Sequence, residues 1–441
     1  MRNIGLCCLY LMCSWGLCLA QGPQDFIRED PLKAAGSFYV YDVTQVPPVT
    51  PAPEGYAPFY ISHFARHGAR YCTSEYETLY GFLTKADQAG MLSPGGREFF
   101  GRYEKFFQKV KLCKGNLTGV GKAQHRAVAE HMFQRFPQVF EGPTRVEAVS
   151  TESPRVIMSM WSCLSRLVAL DGDLEVNADA SAKYCPWLQP GLSSNPWLLK
   201  DAFKCGKEVD EKAAAFYEKT VPCREIALRF FTSMDVFEDV LKATPEKFIN
   251  SLYAVVTNTR CLDADQGCFD DVFTPEELQQ IWKGDCVNYF LHMARFEGSP
   301  HRAVDYAAFT LDQIIASADA DIASGNTQLR LRFGHDAALA PLFAILDVNG
   351  FGKTATTFDQ AVEIFPSYNL PMGANLQLVF YRNASGDVLV KALVNEAEAT
   401  LPLTPVSGPY YKWSDFKAYY LPLVRETRQD ILAASGANVV K

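Results

Sequence analysis

The chain has 441 residues, 48% of them hydrophobic and 21% charged, with a formal net charge of −8. That length exceeds the ~250–300 residues at which a single core stops growing, so two domains, or one large domain with an insertion, are expected. The composition excludes a disordered chain, and the acidic balance argues against nucleic acid or an anionic membrane surface as the main partner.

Arg2, the mostly apolar run Ile4 to Leu19 and the small Ala20 read as an export signal cleaved before Gln21. A lipid anchor on Cys18 is disfavoured by the bulky Leu17 before it, where such signals prefer a small residue. Beyond Gln21 no apolar stretch approaches the ~20 residues needed to span a bilayer. The expected product is a soluble protein, periplasmic or secreted. Its nine remaining cysteines (Cys72, Cys113, Cys163, Cys185, Cys205, Cys223, Cys261, Cys268 and Cys286) are expected to include disulfides in an oxidising compartment. Nine is odd, so at least one thiol is left over, and the connectivity is not readable.

A proline-rich loop from Val46 to Pro58 leads into a buried strand through Phe59, Tyr60, Ile61 and Phe64, with Arg66 to Arg70 at its end. Ser74 and Glu77 form a capping-box pattern ahead of a helix through Leu79 and Phe82, and helical sequence continues to Phe140. A second strand is predicted at Arg145 to Ser150. Ser153 and Pro154 then suit the N-cap and first position of a helix to about Ala169. From 170 to 302 the alternating strand pattern is missing and helix-like stretches recur, as at Val209 to Glu218 and Thr274 to Trp282, so this region reads as a helical insertion domain. Strand character returns at Gln328 to Phe333, followed by Gly334, His335 and Asp336 and the helix-like Ala337 to Leu346. Asn375 to Tyr381 and Val388 to Val394 read as a hairpin around Asn383 to Gly386. The expected fold is α/β. A central sheet flanked by helices is built from 21–169 and 303–441, and ligands bind beyond the carboxyl ends of the strands.

The chemistry concentrates at Arg66-His67-Gly68-Ala69-Arg70. A phosphate monoester needs fixed positive donors, because the transferring group spreads charge over three oxygens. Arginine forks supply them without losing a proton. A histidine between them can attack phosphorus and hold the phosphoryl group covalently. Gly68 is expected to let the backbone turn tightly against the anion. The plain alternative is a solvated basic turn with a structural histidine. Against it stands a resemblance: the segment resembles the signature of the histidine acid phosphatase family, and Ser62 to Thr73 is similar to its inositol-polyphosphate phosphatase branch.

Ser150-Thr151-Glu152-Ser153-Pro154-Arg155 resembles the family segment that supplies a further phosphate-binding arginine, and Arg155 in a first helical turn would sit where anions are favoured. Phe333-Gly334-His335-Asp336 resembles the distal motif. There a neutral His335 would donate to the phosphoryl group and Asp336 would protonate the leaving oxygen. Here the chain departs from the inositol-polyphosphate branch, which carries His-Ala-Glu. The His-Asp pair is similar to bacterial phytases and acid phosphatases. Leu117 to Gly121 and Met372 to Tyr381 carry lesser resemblances.

Other motifs lead nowhere. Gly119-Val120-Gly121-Lys122 lacks the upstream glycine and the Ser or Thr of a nucleotide loop. His63, His125, His131, His292 and His301 show no metal-ligand spacing and are read as structural, with His63 close enough to the signature to support it. Neither a metal nor another cofactor is expected. The resemblance implies an exported phosphomonoesterase with His67 and Asp336 as catalytic groups and Arg66, Arg70, Arg155 and His335 binding phosphate. It implies a phosphohistidine intermediate and inositol polyphosphates such as phytate as substrates. A broad acid or sugar phosphatase, or a phosphate-ester binding protein without turnover, are the alternatives. Lys200, Lys204 and Lys207 are candidate contacts to additional phosphates. Oligomeric state is not legible.

Overall fold

The computed structural model describes residues 22–190, 204–300 and 302–435; the export signal, Lys200 and His301 lie outside them. Eight strands form one mixed sheet: β1 (Ala57–Arg66), β2 (Arg145–Ser150), β3 (Glu175–Asp179), β4 (Leu329–Gly334), β5 (Asn375–Arg382), β6 (Val388–Val394), β7 (Ala397–Ala399) and β8 (Tyr411–Lys412). The order is β3-β2-β4-β1-β5-β6-β7, with β8 on β6. β1 to β4 are mutually parallel, and β5 reverses direction against β1. Register aligns Ala65 and Ser150 with Phe333, and Arg66 with Gly334. The carboxyl ends of three parallel strands therefore finish in one row, and each of the three predicted motifs begins there.

Helices cover both faces. α1 (Pro23–Glu29) lies at the start, followed by α2 (Glu75–Gln88), α3 (Pro94–Val110), α4 (Gly119–Arg135) and α5 (Pro154–Leu170). Next come α6 (Cys185–Leu188), α7 (Lys207–Thr220), α8 (Cys223–Phe230), α9 (Pro245–Asn258) and α10 (Pro275–Met293). The last are α11 (Arg302–Ser324), α12 (Asp336–Leu346), α13 (Phe358–Ile364) and α14 (Trp413–Ser435). On one face Ile61, Ala65, Val146, Ala148, Leu329 and Leu331 pack against α4 and α5; on the other, Tyr60, Phe64, Leu376 and Leu378 join the core of α10, α11, α12 and α14. This is the period-two partition of a doubly covered sheet.

Three expectations need correction. The helical part is not bounded by 170–302: β3 within that range pairs with β2, and α2 and α3 share a separate apolar core with α8 and α9. β3 escaped notice because it is a short edge strand with no buried residue. The capping box at Ser74 does not form. Glu75 instead turns back and accepts from the amides of Thr73 and Ser74, both at 2.8 Å. All nine cysteines of the described residues are free thiols. Seven are buried, and several thiols donate to carbonyls, such as Cys72 to Ala254 and Cys205 to Leu291, behaving as small core side chains rather than as cross-links.

Candidate active site

His67 follows directly on β1. Its amide donates to the Gly334 carbonyl at 3.0 Å and its carbonyl accepts from Gly373 at 3.0 Å, while the Arg66 amide donates to Ala374 at 2.8 Å. The next two residues are held from the helical side. Gly68 donates its amide to Ser159 Oγ on α5 (3.1 Å), and Ala69 donates to Gln124 Oε1 on α4 (2.8 Å). Gly68 has no positive φ. Its role is close approach, because a Cβ there would lie within 2.7 Å of Gly121 Cα and collide with the Gly121 carbonyl. The tight turn expected at Gly68 is thus a backbone-on-backbone contact with α4. Gly121 belongs to the Leu117–Gly121 segment, whose Thr118 caps α4; the amides of Gly119 and Val120 are taken by Asp263, each at 2.8 Å.

His67 is 2% exposed, and its Nδ1 lies 2.9 Å from its neighbour's carbonyl, Gly68 O. A carbonyl only accepts, so Nδ1 carries the proton and Nε2 keeps its lone pair. Burial first, then Arg66, Arg70, His335 and Arg155, hold this imidazole well below the usual histidine range. It is neutral where an unperturbed histidine would begin to charge.

Arg66 is 1% exposed; Nη1 donates to the carbonyls of Ser37 and Leu370, both at 2.7 Å, and Nη2 pairs with Asp336 Oδ2 at 2.8 Å. Arg70 donates to Tyr71 O and lies over the Phe38 ring. Arg155, in the first turn of α5, reaches His335 Nδ1 at 3.5 Å. Burial and the nearby Arg70 bring the Arg155 guanidinium down to about 10 against the pull of Asp336. The Nε atoms of Arg66, Arg70 and Arg155 are all buried without a partner among the described residues. Three crowded guanidinium groups with spare donors are suited to an oxyanion.

His335 is the N-cap of α12, 5% exposed, with its ring centroid 5.6 Å from that of His67 and the planes at 75°. Its Nε2 lies 3.1 Å from Thr151 Oγ1. Because Arg155 can only donate to Nδ1, the Nε2 proton points to Thr151 in this arrangement. Burial and Arg155 push its pKa down to about 4. Asp336, the first residue of α12, keeps 27% of its side chain exposed, and its Oδ1 accepts from the Ala337 amide at 2.9 Å. Burial raises this carboxyl, but Arg66, His335 and Arg70 outweigh it, so the net position is below the usual carboxylate range.

All six predicted residues therefore meet at one place: His67 and Asp336 with Arg66, Arg70, Arg155 and His335. Sequence reasoning missed the residues that hold them. Thr151, inside the segment singled out for Arg155, orients His335; Ser159, one turn after Arg155, joins α5 to the signature. Gln124 bridges Ala69 and Met372 O (2.7 Å), a role without any local signal. Of the structural histidines, His63 and His125 are buried on the α4 side of the sheet flanking the Phe333 ring, His131 pairs with Glu396, and His292 bonds within its helix. Among the described residues no group of His, Cys, Asp and Glu could hold a metal.

Several solved structures share this architecture. The multiple inositol polyphosphate phosphatase of Bifidobacterium longum, in complex with inositol hexasulfate, superposes with a TM-score of 0.71 at 19% identity, over 88% of this chain and 97% of that one. The phytase from D. castellii gives 0.67 at 16% identity, over 96% and 91% respectively. Hafnia alvei phytase with myo-inositol hexakis sulphate gives 0.52 at 14%, over 85% and 98%. No curated relative matches at the level of sequence. The family profile of the histidine phosphatase superfamily (branch 2) matches residues 63–395, from just before the signature to beyond β6. With that span and with the signature histidine and the distal His-Asp pair at the carboxyl end of the parallel strands, the chain belongs to the histidine phosphatase superfamily, branch 2.

Proposed function

We propose that the protein hydrolyses phosphate monoesters of inositol polyphosphates through a phosphohistidine on His67. The observation that carries this reading is the neutral His67 ring, Nδ1 tied to Gly68 O and Nε2 free, amid three guanidinium groups with unpartnered Nε donors. Arg66, Arg70 and Arg155 hold the phosphate oxygens, and Nε2 attacks phosphorus as the bond to the ester oxygen breaks. Asp336 passes its proton to that oxygen. A water then attacks the phosphohistidine, giving its proton to the Asp336 carboxylate and releasing inorganic phosphate with His67 neutral again.

The Arg66–Asp336 pair bears on timing. Alone, the pair keeps the carboxyl ionised, which suits the water-activating step but not proton donation. A bound phosphate dianion draws on the charge of Arg66 and places a like charge near Asp336. Both effects raise the carboxyl pKa, so substrate arrival arms the acid. The relatives solved with inositol hexasulfate favour a polyphosphorylated ring over a simple sugar phosphate. Lys207 opens α7, Lys204 lies in the segment just before it, and both remain candidate contacts to further phosphates. An export signal at 1–20 belongs to the same reading. Among the described residues no helix is long and apolar enough to cross a membrane.

The test is chemical trapping. Rapid quenching with labelled phytate should yield an acid-labile, base-stable protein phosphate in the wild type and none in His67→Ala. Turnover of the variant should fall by ~10² or more. Activity of His67→Ala within tenfold of wild type would end the assignment.

A further inference from the structure

The wall of the site beside Arg155 is made by two segments lying side by side. Arg70 and Leu117 form an antiparallel bridge, the Tyr71 amide donates to Asn116 O at 3.0 Å, and the Gly115 amide donates to Cys72 O at 2.9 Å. Gly115, at φ +67°, reaches the site itself: a Cβ on it would lie 3.6 Å from Thr73 Cγ2 and 3.9 Å from Arg155 Nη1. Thr73 and Arg155 thus meet at the place a side chain of residue 115 would take. That sets Thr73, just downstream of Arg70, at the rim of the phosphate-binding arginines.

A negative charge is fixed on this rim. Glu75, in the first turn of α2, bends back so that Oε2 accepts from the amides of Thr73 and Ser74, both at 2.8 Å, and from Thr73 Oγ1 at 3.2 Å. Its holders are amides and a hydroxyl rather than a cation, so the charge is positioned without being cancelled. Oε1 has only a long contact to Thr73 Oγ1, at 3.5 Å, and keeps acceptor capacity. Burial raises the Glu75 pKa, but the amides of Ser74, Glu75 and Thr73, together with Arg70, outweigh it and leave it below the ordinary glutamate range. Lys114, beside Gly115, does not neutralise this charge, because it turns to Glu77 at 3.7 Å with both side chains exposed.

Resting on the phosphatase reading above, we propose that Glu75 is a specificity-determining residue that selects against a second phosphate at the Thr73 rim. The preferred substrates are then inositol phosphates with a free hydroxyl beside the phosphate being removed. Arg66, Arg70 and Arg155 serve the reacting phosphate. A neighbouring phosphate at the rim brings a dianion against a fixed carboxylate, whereas a hydroxyl in the same place can donate to Oε1. Discrimination of this kind works by like-charge repulsion as much as by attraction.

The test measures kcat/KM on phytate, on the inositol trisphosphate in which phosphates and hydroxyls alternate around the ring, and on p-nitrophenyl phosphate. Wild type, Glu75→Gln and His67→Ala are compared, with thermal unfolding of each. Wild type should act faster on the alternating trisphosphate than on phytate; the reverse order would overturn the proposal without any variant. Glu75→Gln keeps an oxygen acceptor for the two amides and removes the charge. It should gain at least fivefold on phytate and change less than twofold on the other two substrates. That gain should shrink when salt is raised to about 0.5 M, where charges are screened within a few ångströms. An equal change on all three substrates, no change on any, or a gain indifferent to salt would overturn the assignment. If His67→Ala stays active, the phosphohistidine reading fails and this proposal with it. If His67→Ala is dead and Glu75→Gln shows no substrate split, only the role of Glu75 fails.

Discussion

His67 and Asp336 stand at the ends of neighbouring parallel strands, yet they are held by different means. The loop around His67 is fixed by backbone bonds to β4, to the turn before β5, to Ser159 and to Gln124, with the Gly68–Gly121 contact behind it. Asp336 has one backbone amide and one ion pair, and over a quarter of its side chain is open. In the proposed reaction the nucleophile must meet phosphorus along one line, so position is what its surroundings supply. On the same proposal the acid must change protonation twice per turnover, so charge rather than rigidity governs it. A site of this kind separates geometry, stored in the sheet end, from proton control, stored in one arginine.

The largest effect should appear on the acid side. Asp336→Asn preserves size and the Ala337 contact but cannot deliver a proton, and loss of a positioned acid costs ~10²–10⁴ when the leaving group is an alkoxide. Phytate hydrolysis should fall by that amount, and p-nitrophenyl phosphate hydrolysis, which releases a stabilised phenolate, by far less. Equal losses would assign Asp336 to phosphate binding instead. In the wild type the sign of the pH dependence follows from the ion pair. The free carboxyl lies low, so kcat/KM should decline as pH rises through a low value. In the complex the carboxyl is raised, so the corresponding limb of kcat should lie at higher pH. Coincident limbs would show that substrate does not shift the acid.

On the nucleophile side the comparison is broken by bulk. Gly68→Ala places a methyl group into the Gly121 backbone, where no flexible side chain can yield. Overpacking of this kind costs ~1–3 kcal/mol, and because α4 must move away, His67 moves with it. Urea unfolding should show the stability loss and steady-state kinetics a fall in kcat. A variant of native stability and activity would mean that the contact is slack.

Five of the eight strands (β1, β2, β4, β5 and β6), α5, α12 and the meeting of the six expected site residues at one place were legible because each rests on a short pattern: a run of apolar residues, a cap, a motif. What was not legible depends on residues far apart in sequence. Arg66 is held by carbonyls 29 and 304 positions away, and Gln124 bridges segments 55 and 248 positions off. Nothing local marks a carbonyl as an arginine ligand. The cysteines misled for a related reason, since their number suggested cross-links while their burial made them core residues. β3 was hidden because an edge strand needs no apolar face of its own.

The smallest expected effect lies behind the nucleophile, where the sheet end is not merely rigid but intolerant of protons. His63 and His125 are each 1% exposed; both His63 ring nitrogens and His125 Nε2 lack partners among the described residues. Burial, with His125 and Arg332 adding to it, lowers His63 to about 3, and burial lowers His125 to about 4 despite a bond to the Arg66 backbone. The unfolded chain takes up these protons below about 6.5 while the folded chain does not, so stability falls as pH falls through that window. Between pH 7.5 and 5.5, each such histidine should remove about 1.4 kcal/mol. His63→Leu keeps the volume, removes one proton site and strands no hydrogen-bond partner. Its stability should therefore decline less than that of the wild type over the same interval, by about one histidine's share. Parallel pH profiles for the two proteins would show that His63 is charged or solvated in the fold, and the region behind His67 would then be as open to protons as the acid side.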